Sequence, residues 1–116
     1  MRNLNPLLLA GLLLFSCRSQ MNEANPETLR KALLSKISPG TSLASAKDKM
    51  VEEGFVCTEM KNSSFQSDRL HSGIDYLYCD RSICGSSMVT RRDQVAVVHQ
   101  RGVVTEILVS TGLVGP

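Results

Sequence analysis

The side chains with the most varied chemistry in this sequence belong to its cysteines, Cys17, Cys57, Cys79 and Cys84. A thiolate can attack an electrophile, bind a soft metal ion or join a second cysteine in a disulfide. Which of these reactions is open to each cysteine depends on its compartment and on the neighbours that the fold supplies.

Two histidines, His71 and His99, are candidate partners of these cysteines in a zinc site or in a Cys–His hydrolase. Their spacings to the cysteines match no compact zinc motif. A hydrolase also needs a group that orients the base, and the sequence offers no such set and no glycine-rich phosphate loop. We therefore predict no catalytic residue, no metal site, no cofactor and no small-molecule substrate. We expect His99 to be a surface histidine beside a turn.

The segment before Cys17 has the organisation of an export signal. Arg2 supplies a positive charge, residues 7–15 are mostly apolar, and the small residue Ser16 precedes the cysteine. This apolar stretch is far shorter than the roughly 20 residues that cross a bilayer as a helix. We therefore predict that residues 1–16 are a signal peptide and not a membrane anchor.

The run Leu14-Phe15-Ser16-Cys17 resembles a bacterial lipobox. The resemblance implies cleavage just before Cys17, a diacylglyceryl thioether on its sulfur and an acyl chain on its amino group. Two or more such chains attach a protein firmly to a membrane. Because Arg18 and not an aspartate follows, the resemblance also implies a place on the outer membrane, facing the periplasm. The alternative is an ordinary signal peptide cleaved nearby, with Cys17 as one more thiol.

Export would place the remaining cysteines in an oxidising compartment, where disulfides persist. Three cysteines allow three pairs and leave one thiol over. Cys57 and Cys79 fall in the first and second predicted strands, and opposite residues of antiparallel strands are close enough to be bridged. We favour the disulfide Cys57–Cys79, with Cys84 as a free loop thiol. The competing pair is Cys79–Cys84.

The charge balance argues against nucleic acid as a partner. The 116 residues include 13 Lys and Arg against 11 Asp and Glu, and 4% of the residues are aromatic, with no Trp. Binding to phosphates requires a basic patch, and base stacking requires aromatic platforms. Arg91-Arg92 is a pair and not a run, and we expect both side chains to be solvated near a strand end.

Two amphipathic helices are predicted after a tether that covers residues 17–25. Asn25 is the expected N-cap of the first helix, which ends at residues 38–40. Thr41 or Ser42 caps the second helix, and Gly54 follows its end. The predicted apolar faces recur at helical spacing and comprise Leu29, Leu33, Leu34, Ile37, Leu43, Ala46, Met50 and Val51.

Four strands are predicted at residues 55–60, 74–80, 94–100 and 103–110, with a turn at Arg101-Gly102. Residues 61–73 and 81–90 read as long loops, and residues 112–116 as a tail. Residues 26–116 then form a single α+β domain, with two N-terminal helices packed on one face of a four-stranded antiparallel meander.

The second face of this predicted sheet is expected to meet water or a partner. Phe65, Tyr76 and Tyr78 are the candidate binding residues of that face, because aromatic side chains are favoured at binding hot spots.

The residues 37–41, the short helix after them, Gly54-Phe55 and the hairpins that close at residues 102–104 resemble the SmpA/OmlA lipoproteins, the BamE type. The layout is also similar to one repeat of the secreted β-lactamase-inhibitory proteins. The resemblance covers roughly residues 27–111. The first family assists a β-barrel assembly machine and binds lipid and protein partners, which implies an envelope protein as partner here. The cysteines in the strands depart from that type.

Three functions are consistent with these features. The first is a lipid-anchored binding or scaffold module that serves assembly or maintenance of the envelope, with the membrane and an envelope protein as partners. The second is a membrane-tethered inhibitor of a hydrolase, which would use an exposed aromatic patch on the sheet. The third is a small thiol-based enzyme or redox protein centred on Cys84.

Overall fold

The structure is a computed structural model that describes residues 25–84 and 90–114. Two helices, α1 (Pro26–Lys36) and α2 (Leu43–Glu52), come first. Four strands follow, β1 (Val56–Gln66), β2 (Leu70–Cys84), β3 (Thr90–Gln100) and β4 (Val103–Val114). The strands form one antiparallel sheet in the order β1-β2-β3-β4. The predicted α+β class, with two helices ahead of a four-stranded meander, is confirmed.

The start of α1 is determined by local sequence. The Asn25 side chain accepts hydrogen bonds from the backbone N–H groups of Glu27, at 2.7 Å, and Thr28, at 3.3 Å. Pro26 occupies the first helical position, where a missing N–H costs nothing. The cap satisfies donors that the first turn of a helix leaves without partners, so α1 begins where the sequence predicts.

Both ends of α2 are also determined by residues close to them in the sequence. Of the two predicted caps, Ser42 is the one used, and its hydroxyl accepts from the N–H of Ser45 at 3.2 Å. Gly54 follows the helix with a φ of 94°, a left-handed conformation that glycine adopts without the steric cost of a Cβ.

The main core lies between the two helices and one face of the sheet. Every second residue of a strand faces the same side, so β2, β3 and β4 each contribute alternating side chains to this layer. Its fully or nearly buried members are Leu29, Leu33, Ile37, Ala46, Met50, Phe55, Leu77, Cys79, Val95, Val97, Val104, Ile107 and Val109.

The turn between β3 and β4 lies where the sequence predicts it. Arg101 has a φ of 55° and Gly102 a φ of 77°. Two consecutive positive φ values match the twist of the strands that a two-residue turn connects.

The strands extend well beyond their predicted ends, and the prediction of long loops at residues 61–73 and 81–90 was wrong. Residues 61–66 belong to β1 and residues 70–73 to β2, so the predicted loop 61–73 shortens to a turn at 67–69. Likewise, β2 continues to Cys84, β3 starts at Thr90, and β4 continues to Val114. These added stretches are mostly polar and are held by backbone pairing between strands, with Phe65, Ile83, Arg91 and Asp93 as their buried side chains.

The second face of the sheet is partly covered by the protein itself. The β1–β2 hairpin has register shifts between Met60 and Ser63 and between Ser63 and Phe65. Bulges bend a strand, and here the turn of the hairpin lies beside β4, at the far edge of the sheet. A second, smaller core follows from this bend, formed by Phe65, Tyr76, Ala96, Val98 and Leu108.

Among the described residues, no helix has both the length and the hydrophobicity needed to cross a membrane.

Candidate functional site

The predicted disulfide Cys57–Cys79 is present. The two cysteines are direct partners in the register of β1 and β2, with their Cα atoms 4.1 Å apart. Cys79 is fully buried beneath the helices, and Cys57 packs against the same core. The bridge therefore links the edge strand β1 to the central part of the sheet, next to the helices that cover it.

The other two cysteines differ in how much of them the structure describes. The backbone of Cys84 ends β2 and pairs with Thr90, so the residue lies in a strand and not in the predicted loop. Its side chain lies outside the described part of the chain. The predicted signal peptide 1–16 and Cys17 lie outside the described residues as well. Because Cys79 is bonded to Cys57, the competing Cys79–Cys84 pair is not formed.

The three aromatic residues predicted as a binding face do come together, but not as an exposed patch. The ring centroids of Phe65 and Tyr76 are 5.7 Å apart in an edge-on contact, and those of Phe65 and Tyr78 are 6.5 Å apart. Phe65 and Tyr76 are only 7% and 3% exposed, and the Tyr76 hydroxyl donates to the carbonyl of Ser64 at 2.6 Å. The prediction of exposed aromatics was wrong, because the bent hairpin places Phe65 over the sheet.

The two histidines are not brought together. The expectation that His99 is a surface side chain was wrong, since it is 8% exposed and its Nε2 lies 2.9 Å from Oε2 of Glu59. His71 lies opposite Phe65 near the turn of the β1–β2 hairpin. Among the described residues, no group of three or more His, Cys, Asp or Glu side chains is placed to hold a metal ion.

A buried cluster of charges lies on the helix-covered face beyond the end of α2. Asp93 is fully buried and accepts from Nε of Arg91 at 2.9 Å and from Nε of Arg81 at 3.0 Å. Arg81 also donates to the carbonyl of Glu53 at 2.8 Å and lies 4.4 Å above the ring of Phe55. Sharing one carboxylate between two guanidinium groups compensates charges that burial would otherwise penalise heavily.

Sequence reasoning missed this cluster, and the expectation that Arg91 is solvated was wrong. Arg91 is 1% exposed, whereas Arg92 faces the other side of the sheet and is solvated as expected. The sequence did contain a signal for this burial. Side chains two positions apart on one continuous strand face the same side, and this spacing relates Arg91, Asp93, Val95 and Val97. Extending the predicted third strand, 94–100, by three residues in the N-terminal direction would have placed both charges under the helices.

On the second face, Arg92 pairs with Asp80 through two hydrogen bonds, of 2.8 Å and 3.1 Å. The carboxylate stabilises the protonated guanidinium and so raises the pKa of Arg92 above its ordinary value. Next to this pair, the Gln94 amide donates to the hydroxyl of Tyr78 at 2.7 Å. The Arg92–Asp80 pair is exposed and the Gln94–Tyr78 bond is half-buried, and both link β2 to β3.

The feature best suited to bind another molecule is a cleft of about 530 Å³ at the β4 edge of the sheet. We call it the β4-edge cleft. Three segments that are distant in the sequence line it: the start of α1 (Asn25, Pro26, Glu27, Arg30), the β1–β2 turn (Ser67, Asp68, Arg69, His71) and β4 (Glu106, Leu108, Val109, Ser110, Thr111). Its volume lies within the range of about 300 to 1,000 Å³ that is usual for ligand sites.

Charged groups of both signs line the β4-edge cleft. Arg30 bonds to Glu27 at 3.2 Å and to the backbone carbonyl of Ile107 at 3.1 Å, which ties α1 to β4. Within the described part of the chain, Arg69 and Glu106 have no ion-pair partner. These two side chains are therefore available to groups that arrive from outside.

Two further groups complete the chemistry of the cleft. The Nε2 atom of His71 is buried and has no hydrogen-bond partner in the described structure. The pKa of Asp68 is lowered, chiefly because the Ser67 hydroxyl donates to its carboxylate. The cleft thus combines fixed positive and negative groups with hydrogen-bonding capacity, which suits recognition of a polar segment better than bond-making chemistry.

Comparisons of the chain with protein-family models, with curated proteins and with solved structures find no match.

Proposed function

We propose that this chain is a lipid-anchored protein of the bacterial envelope whose α+β domain acts as a binding or scaffold module, with a role in outer-membrane assembly or maintenance. The observation that carries the proposal is the combination of two cysteine environments. Cys17 follows an apolar segment in a lipobox-like run, and Cys57–Cys79 is a disulfide in the domain that follows.

The disulfide supports export, because such bonds persist in oxidising compartments and are rare in the cytosol. The lipobox-like run supports attachment through acyl chains on Cys17, on the outer membrane and facing the periplasm. The domain would then hang from the tether, residues 17–25, whose last residue is Asn25. This residue lines the β4-edge cleft, so the cleft lies at the end of the domain that meets the tether.

The β4-edge cleft supports a binding role for the domain. Its walls come from three separate segments, and among the described residues the side chains of Arg69 and Glu106 have no ion-pair partner. The inhibitor alternative relied on an exposed aromatic patch, and the burial of Phe65 and Tyr76 leaves it without that support.

Intact-mass spectrometry of the mature protein from bacterial membranes tests the anchor. We expect a chain that starts at Cys17 and carries fatty acyl groups, with a mass two hydrogens lower than that of the reduced form. The matched control is Cys17→Ser, which should remain unprocessed and unacylated while keeping the Cys57–Cys79 bond. A mature protein that starts at another residue, or that lacks fatty acid, would overturn the proposal.

Affinity purification of the acylated chain from detergent-solubilised membranes tests the binding role. We expect specific envelope proteins to be enriched over a purification made with an unrelated acylated lipoprotein. If no protein exceeds that background, the binding role is wrong even where the anchor is present.

A further inference from the structure

Within the described residues, the outer edge of β4 is bonded at its start and at Ile107. The N–H of Val104 donates to the carbonyl of Thr41 at 2.9 Å, and the carbonyl of Val104 accepts from the N–H of Gly40 at 2.8 Å. These bonds show that the backbone groups of Val104 point away from β3. The segment ahead of α2 therefore pairs with the first residues of β4, in the position of a short fifth strand of the sheet.

Beyond that point, a side chain replaces the backbone partner. Arg30 donates from Nε to the carbonyl of Ile107 at 3.1 Å, from the α1 side of the edge. In an antiparallel strand the N–H and C=O of alternate residues face the same side. Val109, two residues beyond Ile107, therefore presents its N–H and C=O outward, and no described residue bonds to them across the edge.

The outward backbone groups of Val109 lie in the β4-edge cleft and not on an open surface. Val109 lines the cleft together with Glu27 and Arg30 of α1 on one side and with Arg69 and His71 of the hairpin on the other. A strand edge with outward backbone donors and acceptors is a template for pairing with another extended chain. The cleft thus encloses such a template between two polar walls.

We propose that an extended segment of a partner protein binds in the β4-edge cleft as an added strand, with its backbone paired to Val109. The proposal rests on the proposed binding function and identifies its site. An added strand would direct alternate side chains to the α1 wall and to the hairpin wall. The charges of Arg69 and Glu106 are complementary to a segment that carries one acidic and one basic side chain.

The walls count against a sheet-to-sheet dimer of this chain at the same edge. Pairing β4 with the β4 of a second copy would bring the second copy's own α1 and hairpin against the start of α1 and the β1–β2 turn. A single extended segment has the width of one strand, about 4.8 Å from its neighbour, and enters between the walls.

Photo-crosslinking in living bacteria tests the location. A photoreactive phenylalanine analogue replaces Glu106 or Arg69 in the full chain, and Lys47 or Glu52 on the exposed face of α2 serve as control positions. We expect crosslinks to a second polypeptide from the two cleft positions only, and mass spectrometry of the digested product identifies the captured segment.

A synthetic peptide of the captured segment then tests the backbone pairing. Binding to the purified full chain is measured by fluorescence anisotropy, with the same peptide methylated on alternate backbone nitrogens as the control. We expect N-methylation to weaken binding about tenfold, the effect of one lost backbone hydrogen bond of about 1.4 kcal/mol. Arg69→Glu should weaken the unmodified peptide, whereas Lys47→Glu should not.

Several outcomes would overturn the inference. Crosslinks from Glu106 to another copy of this chain would assign the edge to a homodimer. Equal binding of the methylated and unmodified peptides would show side-chain docking without an added strand. Crosslinks from Lys47 or Glu52 alone would leave the binding function standing and place its site elsewhere. Crosslinks from none of the positions would end the added-strand proposal, while the affinity purification decides separately on the binding function.

Discussion

Asp93 accepts a hydrogen bond from Arg91, two residues before it on the same strand, with 2.9 Å between Nε and Oδ1. Arg81 reaches the other oxygen of that carboxylate from the neighbouring strand, at 3.0 Å. Arg91 and Asp93 are both almost completely shielded from water. One buried carboxylate therefore compensates two guanidinium groups at the end of the core.

Asp93→Asn is expected to destabilise the domain strongly. The substitution keeps the shape of the side chain and removes its charge, so the buried guanidinium of Arg91 and the nearly buried one of Arg81 lose the counter-ion they share. Removing one partner of a buried pair costs about 3 to 5 kcal/mol. Urea unfolding followed by circular dichroism measures the change. Asp80→Asn is the matched control, because its partner Arg92 lies in solvent, and it should change the midpoint little. Equal effects of the two substitutions would contradict this account.

Loss of the Cys57–Cys79 disulfide is expected to reduce stability by about 3 kcal/mol, because the bond closes a loop over a sequence separation of 22 in the unfolded chain. Urea midpoints with and without dithiothreitol measure the effect. The double variant Cys57→Ala with Cys79→Ala should not respond to the reductant, whereas Cys84→Ser should respond as the parent protein does. A Cys84→Ser protein that has lost its response would assign the disulfide to Cys84.

Gly102→Ala is expected to destabilise the domain by about 1 kcal/mol, since alanine at a φ of 77° bears the cost of the left-handed conformation. No atom lies within 4 Å of the added Cβ, so the effect comes from the backbone alone. Gly112→Ala is the control, because its added Cβ also meets no atom and its φ is not positive. Thermal unfolding compares the two, and a loss of the same size in both would rule out the turn as the cause.

Tyr76 is expected to make stability fall at high pH. Burial raises the pKa of its hydroxyl, with a smaller effect from Tyr78. Above the ordinary tyrosine pKa of about 10, the unfolded chain loses this proton before the folded protein does, so the free energy of unfolding decreases as the pH rises. Tyr76→Phe should cost about 1 kcal/mol at about pH 8 through the lost bond to Ser64, and this deficit should shrink by about pH 11. A deficit that is constant across this range would contradict the raised pKa.

The sequence by itself determined the elements whose causes lie within a few residues of one another. Asn25 and Ser42 cap helices through contacts to N–H groups two or three positions away. Arg101-Gly102 makes its turn through the φ values of those two residues. The sequence also favoured the Cys57–Cys79 pair, because the two strands that carry these residues were placed correctly and adjacent to each other, while the register of β1 and β2 decided it against Cys79–Cys84.

Only the tertiary structure decided the features that depend on where a strand stops and how it bends. Residues 61–66 and 90–93 are mostly polar, so they show little of the apolar alternation that marks a strand, and their pairing partners lie on other strands. The bulges near Ser63 turn the hairpin back over the sheet, which buries Phe65 and Tyr76 and brings Arg69 beside β4. The buried Asp93 that bonds to Arg91 also accepts from Arg81, which is 12 residues away on the neighbouring strand. Contacts between residues on different strands cannot be derived from the sequence around each residue.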